Sequence, residues 1–483
     1  MRHFIRLLLT MAVSVWCAGA AAVAPPSRLP VEALRVVDLS PCTLPDVAQS
    51  AQCGVLAVPE NPGRSAGRTL QIGIAVIPAA AKPANPDPIV VLMGGPGEGA
   101  ISAASFYVRQ FASLLKDRDL LLVDQRGTGR SGALTCDLYS KEEPAATLRD
   151  LFPPAAIERC VRRLRTHADL TQYSYTRFAD DLEHVRRALG FGPLNLFSGS
   201  YGTRAAQVYL RAYPQSVRSA FLGSAVPLDV PTPLAMAKTA QTALDSVFGA
   251  CAADAACHSV FPNLGEEFRQ ALTRLNSGAV RVSIPGRSDT VLLRGGRVAE
   301  WIRAKLYRPN SAAILPWVIH RAYLGDWSPI VEGILSDTGD PDFSFGLFFA
   351  ITCSDDVAFL QDREVAAESQ GTFLGDDRVR QQQAACKYWP KRSLPADFRN
   401  PVHSSVPALF VTGDADGGTP LWYTQRVSQG FANSVVVVAR GQGHTEWSDC
   451  IGDLYERLVL GGTVRGLDAS TCEPAPRPPF KTN

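Results

Sequence analysis

The feature that most constrains the fold of this chain is a series of short apolar runs, several of which end in a glycine-rich turn. The runs span residues 70–77, 89–93, 120–123, 194–197, 220–222, 408–411 and 435–438. Short runs of Val, Ile and Leu without alternation are typical of strands buried on both faces of a parallel sheet. Helical patterns lie between them, for example at 178–189 and 205–213. Strands and helices in repeated order predict an α/β fold with right-handed crossovers.

The strand pattern stops after about residue 226 and resumes at about residue 406. The intervening chain is mainly helical in pattern, as at 235–252, 264–275 and 297–307. Two consecutive domains would not explain why strand-like runs return. We therefore predict a core domain in two pieces, 25–226 and 401–483, with 227–400 inserted as a helical cap. The proline-rich tail from Pro474 is expected to be loose.

The first 24 residues have the pattern of a cleaved export signal. Arg2 and Arg6 precede an apolar run at 7–15, and small residues follow at 18–24. The apolar run is short for a membrane span, so we expect no stable span after cleavage. The formal net charge of +2 over 483 residues argues against nucleic acid as a partner. No Asn-x-Ser/Thr acceptor occurs, so we expect a periplasmic or extracellular protein of a bacterium.

Ten cysteines remain once Cys17, which lies in the signal, is set aside. An even number in an exported chain favours disulfides over free thiols or metal ligands. The simplest connectivity joins them in chain order, although sequence alone does not fix it. The five local pairs would be Cys42 and Cys53, Cys136 and Cys160, Cys251 and Cys257, Cys353 and Cys386, and Cys450 and Cys472. No Cys/His cluster has zinc-like spacing, and we expect no metal and no cofactor.

Ser200 is the candidate nucleophile. It lies in Gly199-Ser200-Tyr201-Gly202, directly after the apolar run at 194–197. A strand that enters a helix through a tight turn of small residues lifts the central hydroxyl above the sheet. Ser198 stands where such turns usually carry a glycine. Taken alone, the motif is equally compatible with an ordinary turn.

A serine hydroxyl needs a base, and His444 is the candidate. It follows the run at 435–438 in a glycine-framed loop, at the end of a strand where open α/β sheets place their sites. The other five histidines of the mature chain have no preceding sheet strand. They are His167, His184, His258, His320 and His403.

The base needs an anionic partner to fix its tautomer. Asp414 and Asp416 both follow the run at 408–411, and spacing does not separate them. The order serine, aspartate, histidine along the chain is the order of α/β hydrolases.

The turn Gly94-Gly95-Pro96-Gly97 follows the run at 89–93, where that fold builds half of its oxyanion hole. Negative charge forms on the carbonyl oxygen during attack and must be received by preorganised N–H groups. The backbone N–H groups of Gly95 and Tyr201 are the predicted donors.

These motifs resemble the proline iminopeptidase and tripeptidyl aminopeptidase family of serine exopeptidases. Four segments carry the resemblance: Gly94-Gly95-Pro96-Gly97, Asp124-Gln125-Arg126-Gly127-Thr128-Gly129-Arg130-Ser131, Gly199-Ser200-Tyr201-Gly202-Thr203, and Gly413 to Pro420 with Asp416 and Thr419. The C-terminal piece around Cys450 and Cys472, together with Cys353-Ser354-Asp355 and Cys386-x-x-Trp389-Pro390, resembles the tripeptidyl branch.

The resemblance implies an α/β-hydrolase fold with Ser200, Asp416 and His444 as the triad. It favours Asp416 over Asp414, because Asp416 matches the Asp-x-x-Thr-Pro pattern of the family. It also implies Gly95 and Tyr201 as oxyanion donors. Met93 and Ser198 depart from the family pattern, and neither removes a catalytic group.

The activity predicted from these residues is exported exopeptidase action at the free N-terminus of peptides, through an acyl-enzyme. Such a site must hold an ammonium group, for which Glu98, Asp355 and Asp356 are the candidate carboxylates. An exported carboxylesterase with the same triad is the alternative, and a non-catalytic binding protein that retains the fold is a third. The expected partner is a peptide substrate, and the oligomeric state is left open.

Overall fold

The computed structural model describes residues 37–139, 144–278, 280–284, 286, 288, 290–337, 342–445 and 447–483. The predicted export signal, residues 1–24, lies outside the described residues. The described residues form one compact unit.

The described chain contains eleven strands. They are β1 (Ser40–Cys42), β2 (Ala51–Pro59), β3 (Thr69–Ile77), β4 (Asn85–Leu92), β5 (Arg118–Val123), β6 (Leu194–Gly199), β7 (Val217–Gly223), β8 (Arg281–Ser283), β9 (Thr290–Leu292), β10 (Ala408–Gly413) and β11 (Ser434–Ala439). Nine of them form one sheet in the order β1-β2-β3-β5-β4-β6-β7-β10-β11, while β8 and β9 form a separate hairpin. From β5 to β11 the neighbouring strands are parallel.

The strand order reverses at β4. The chain passes from β4 to β5 on one side and then returns to β6 on the other side of β4. In such sheets the loops that follow the two strands at the reversal, here β4 and β6, run in opposite directions. They leave a crevice at the carboxyl ends of these strands. The turns that carry Gly95 and Ser200 follow β4 and β6, so the fold places both at this crevice.

The helices have the following bounds in the described chain. They are α1 (Ala104–Gln110), α2 (Pro144–Arg149), α3 (Pro154–Leu164), α4 (Tyr175–Ala188), α5 (Gly202–Ala212), α6 (Thr232–Ala253), α7 (Ala255–Val260), α8 (Leu264–Asn276), α9 (Gly295–Lys305), α10 (Pro309–Ala312), α11 (Leu315–Tyr323), α12 (Ser328–Ser336), α13 (Phe345–Asp355), α14 (Asp362–Ser369), α15 (Asp377–Cys386), α16 (Leu421–Ser428) and α17 (Asp449–Gly461).

The central strands are buried on both faces, as the continuous apolar runs predict. In β4, Val90 and Leu92 belong to one hydrophobic cluster, whereas Ile89 and Val91 belong to another. All four are at most 1% exposed. Each such side chain contributes about 1.5–3 kcal/mol when it leaves water, which explains why these runs tolerate so few polar residues.

Two strand predictions need correction. The run at 70–77 was expected in a parallel sheet, but β3 pairs antiparallel with both β2 and β5. The run at 435–438 was expected to be buried on both faces, but Val436 and Val438 are exposed. β11 is the last strand of the sheet and pairs only with β10, so solvent reaches one of its faces.

Residues 227–400, called the insert below, lie in the chain between β7 and β10. Much of the insert packs around a hydrophobic cluster that includes Leu244, Trp301 and Leu315. Its helix α13, however, joins the cluster of the sheet through residues such as Phe349. The insert therefore shares part of its interior with the sheet.

The C-terminal tail, expected to be loose, packs on the insert. Phe480 contacts the insert's hydrophobic cluster, and the Lys481 N–H donates to the Ala313 carbonyl at 3.0 Å. The Lys481 ammonium lies 3.7 Å from the Trp317 ring centroid, so the tail gains both apolar and cation–π contacts.

Five disulfides form in chain order. They are Cys42–Cys53, Cys136–Cys160, Cys251–Cys257, Cys353–Cys386 and Cys450–Cys472. Disulfides persist in oxidising compartments, which is consistent with an exported protein. None of the helices in the described ranges is long and apolar enough to cross a membrane.

Candidate active site

Ser200 occupies a sharp turn between β6 and α5. Its φ is +55°, a left-handed conformation that costs a non-glycine residue about 1–2 kcal/mol. Its neighbours are small for steric reasons. A Cβ on Gly202 would lie 2.1 Å from the Leu92 carbonyl oxygen, and one on Gly199 would lie 3.1 Å from Thr445. The turn therefore packs closely against Leu92 of β4 and against Thr445.

Ser198 departs from the usual glycine, and the structure explains why it fits. Its side chain is fully buried, and its hydroxyl donates to the Phe221 carbonyl of β7 at 2.7 Å. The hydroxyl therefore satisfies its hydrogen-bonding capacity against the next strand, and the turn after it is unaffected.

Asp416 and His444 are in direct contact. His444 Nδ1 lies 2.8 Å from Asp416 Oδ2, and Asp416 is 6% exposed. The remaining capacity of the carboxylate is filled by neighbours. Oδ1 accepts from the N–H groups of Gly418 and Thr419, and Oδ2 accepts from the hydroxyls of Thr419 and Ser224. These bonds fix the carboxylate in one orientation toward the imidazole.

The same contacts keep Asp416 ionised. Burial alone would raise the pKa of Asp416, but the charge of His444 and hydrogen bonds from His444 and Thr419 outweigh it and lower the pKa. An ionised carboxylate at Nδ1 leaves Nε2 as the basic nitrogen of the ring.

Asp414, the other candidate partner, accepts a hydrogen bond from the backbone. It is exposed, and its Oδ1 accepts from the Gly441 N–H at 2.7 Å. It therefore ties the loop after β10 to the loop that carries His444, and the contact with the imidazole belongs to Asp416.

Tyr307 of the insert lies between the two loops that carry Asp416 and His444. The His444 N–H donates to the Tyr307 carbonyl at 2.6 Å, and the two ring centroids are 4.8 Å apart. A Cβ on Gly443 would lie 2.2 Å from the Tyr307 carbonyl oxygen, and one on Gly418 would lie 2.0 Å from its ring. Glycine is needed at both positions because Tyr307 fills the space.

Ser200 and His444 line the same cavity, of about 560 Å³. Aromatic residues, including Tyr107, Phe197 and Trp447, form much of its wall. Its size suits a short peptide or a drug-sized ligand. A second cavity of about 70 Å³ also touches Ser200 and His444 and extends under the insert.

Gly95 and Tyr201 line the smaller cavity together with Ser200. Gly95 has a φ of +106°, and a Cβ there would lie 2.7 Å from the Gly97 nitrogen, so only glycine fits this turn. Tyr201 directly precedes α5, and its phenol donates to Asp356 at 3.0 Å. The chain therefore brings both predicted oxyanion donors to the site.

The three candidate ammonium ligands differ in their burial and in their contacts. Glu98 is exposed and lines the larger cavity. Asp356 is buried, and Arg204, Tyr201 and Thr232 occupy its oxygens. Asp355 is buried too and contacts the Arg392 guanidinium.

Asp355 and Asp356 line neither cavity. Burial raises the pKa of Asp355 to about 7, while the charge of Arg392 opposes the rise. The prediction that these two bind an ammonium does not fit, because protein cations already pair with both. Of the three carboxylates, Glu98 is the one that lines a cavity beside Ser200.

The Asp124–Ser131 motif has a structural role. Asp124 accepts from the N–H groups of Ile101 and Arg130. Arg126 is 1% exposed and makes a bidentate pair with Asp181 of α4. The motif therefore fastens the loop after β5 to the Gly95 side of the crevice and to α4.

Sequence reasoning missed several residues that support the site. Ser224, after β7, donates to Asp416 and accepts from the Thr445 N–H at 3.0 Å. Tyr307 and Gln382 of the insert line the site as well. Serine in a loop is too common to single out, and no local pattern places the insert over the sheet. No group of three or more His, Cys, Asp or Glu in the described ranges could hold a metal ion.

Known proteins resemble this chain over most of its length. A family model for the alpha/beta hydrolase fold matches residues 87–278, and one described as TAP-like protein matches 371–472. Serine protease Hip1 of Mycobacterium tuberculosis is 24% identical, with 89% of each chain covered. Tripeptidyl aminopeptidase of Streptomyces lividans is 24% identical over 88% of this chain and 85% of that protein. Proline iminopeptidase of Heyndrickxia coagulans is 26% identical over 28% of this chain and 34% of that protein. The matches confirm the resemblance predicted from the motifs.

Proposed function

Because this chain is an α/β hydrolase similar to the proline iminopeptidase and tripeptidyl aminopeptidase family, we propose that it is an exported serine exopeptidase. It releases single residues or short peptides from the free N-terminus of peptides. The observation that carries the proposal is the 2.8 Å contact between His444 Nδ1 and Asp416 Oδ2, with His444 and Ser200 lining one cavity.

In this mechanism, His444 Nε2 removes the proton of Ser200 as Oγ attacks the substrate carbonyl carbon. The backbone N–H groups of Gly95 and Tyr201 receive the negative charge on the carbonyl oxygen. The tetrahedral intermediate collapses, the C–N bond breaks, and the leaving amine takes the proton from His444. Water, deprotonated by His444, then attacks the acyl-enzyme and restores Ser200. Asp416 stabilises the imidazolium that forms in each half-reaction.

Glu98 is our candidate for the ammonium group of the substrate. It lines the larger cavity, near the Gly94–Gly95 turn. A carboxylate there favours an unblocked N-terminus over a blocked one. The N-terminal part of the substrate therefore lies in the larger cavity.

The decisive experiment compares wild type with Ser200→Ala on free and N-acetylated peptides. We expect the wild type to cleave free peptides from the N-terminus and Ser200→Ala to lose at least about 10³-fold in kcat. A fluorophosphonate probe should label the wild type and fail to label Ser200→Ala. Cleavage of short acyl esters without turnover of any free peptide would contradict the proposal.

That last outcome would favour a carboxylesterase. The aromatic wall of the larger cavity, with Tyr107, Phe197 and Trp447, is a surface that an apolar acyl chain would also fill. If the probe does not label the protein and no substrate is turned over, the third alternative would be favoured, namely a non-catalytic binding protein that retains the hydrolase fold.

A further inference from the structure

The smaller cavity beside Ser200 contains polar groups that the fold itself leaves unused. It is lined on one side by Ser200, Gly95 and His444 and on the other by residues of the insert, including Arg378 and Gln382 of α15. At about 70 Å³ it has room for several water-sized groups.

Gln382 is the clearest of these unused groups. Its side chain is fully buried, and within the described ranges neither its Nε2 nor its Oε1 has a hydrogen-bond partner. Leaving both a donor and an acceptor unpaired in the interior costs free energy. A carboxamide that lines a cavity next to a reactive serine can recover that cost from a bound molecule.

Arg378 lies one turn before Gln382 on the same helix. Its Nη1 donates to Glu300 at 2.9 Å, whereas its Nε is buried without a partner in the described chain. The cavity thus offers an unpaired N–H of Arg378 beside the amide of Gln382. Together they present three N–H donors, one on Arg378 Nε and two on Gln382 Nε2, and one acceptor, Gln382 Oε1.

The charge of this cavity separates it from the larger one. No carboxylate of the described residues lines it, and Arg378 is its charged residue. The larger cavity is lined by Glu98 as well as Arg308 and thus offers a carboxylate. An N-terminal ammonium therefore belongs in the larger cavity, and the chain on the other side of the scissile bond belongs in the smaller one.

We propose that Gln382, assisted by Arg378, binds the backbone of the leaving peptide on the carboxyl side of the cleaved bond. This rests on the proposed exopeptidase function. A peptide group supplies the carbonyl acceptor and the N–H donor that the unpaired carboxamide lacks. Gln382 is thus a specificity-determining residue for peptides that extend beyond the cleaved bond.

The test uses two substrates with the same free N-terminal acyl part. One is a p-nitroanilide, whose leaving group has no peptide group, and the other is a peptide with two further residues. We expect Gln382→Leu to lower kcat/KM at least about tenfold for the peptide and to leave the anilide within about twofold. Gln383→Leu on the same helix, where Gln383 contacts Arg380 instead, should change neither substrate.

Three results would overturn the inference. They are an equal loss on both substrates, no loss on the peptide, and a lowered melting temperature of Gln382→Leu, since an amide buried without partners costs the fold free energy. If the wild type cleaves esters but neither substrate with a free N-terminus, the proposed exopeptidase function is wrong, and the inference about Gln382 falls with it. Labelling of Ser200 by a fluorophosphonate keeps that failure distinct from misfolding.

Discussion

At the scale of single residues, the strain of the turn after β6 falls on Ser200. Its φ of +55° is a conformation that glycine adopts freely. We expect Ser200→Gly to be more stable than Ser200→Ala by about 1 kcal/mol, because glycine relieves the strain but gains freedom in the unfolded chain. Urea unfolding of the two inactive variants measures the difference. Equal stabilities would mean that the turn carries no such strain.

The two aspartates after β10 make a matched pair. Asp416→Asn should lower kcat by about 10⁴-fold, because an amide no longer fixes the tautomer of His444 or stabilises its charged form. Asp414→Asn should lower kcat less than about tenfold, because the Asp414 carboxylate accepts from the Gly441 N–H, whereas the imidazole contacts Asp416. Steady-state kinetics on one substrate checks both. Similar losses in the two variants would contradict the assignment of Asp416.

Much of the site could be predicted from the sequence at this scale. Ser200 and His444 stood out because each follows an apolar run and is framed by small residues. The choice between Asp414 and Asp416 could not be made from spacing, because both lie within one short loop. It depends on which carboxylate faces the imidazole, and the resemblance supplied the answer that the contacts support. The ammonium candidates Asp355 and Asp356 failed because their buried arginine partners, Arg392 and Arg204, are distant in sequence.

At the level of elements, the insert contacts the loops of Asp416 and His444 through Tyr307. Gly418→Ala would place a methyl group 2.0 Å from the Tyr307 ring, so the Asp416 loop or Tyr307 must move. We expect at least about a tenfold loss in kcat/KM and a lower melting temperature. Gly249→Ala on α6, where a Cβ meets nothing within 4 Å, should be neutral or stabilising by about 0.5–1 kcal/mol. A fully active Gly418→Ala would show that the contact is not tight in solution.

The positions of the central strands were easier to predict than their direction and their exposure to solvent. The central runs were found because burial on both faces excludes polar residues. Their composition says nothing about direction, so β3 was placed in the parallel part. Composition also does not show which strand lies at the edge of the sheet. The valines of β11 therefore led to a prediction of burial, although two of them face solvent. β2 was missed, since its burial alternates and its sequence contains Gln52 and Gly54.

For the whole molecule, acid stability depends on buried charges in the insert. Burial would raise the pKa of Glu300, but the charges of Arg303 and Arg378 lower it to about 2. A glutamate in the unfolded chain has a pKa of about 4.3, so the unfolded state binds the proton first. The stabilisation from Glu300 is therefore complete above about pH 4.3 and is lost as the pH falls toward about 2.

Glu300→Gln should lower the free energy of unfolding at pH 7 by about 3–5 kcal/mol, because it leaves buried cations without their partner. It should also flatten the loss of stability between pH 4 and pH 2. Urea unfolding at pH 7 and melting curves at decreasing pH measure the two effects. Glu332→Gln on α12, an exposed position, is the control. An unchanged acid slope in Glu300→Gln would contradict the argument.

Tyr307 has a consequence for how the enzyme could change over evolution. Its carbonyl holds the backbone of His444, and its ring fills the space that two glycines leave in separate loops. The insert therefore cannot move away at this point without releasing the backbone of His444, the proposed general base. Replacing the whole insert with that of a relative would therefore also change the contacts that position His444. Selectivity and turnover in this chain are expected to be inherited together.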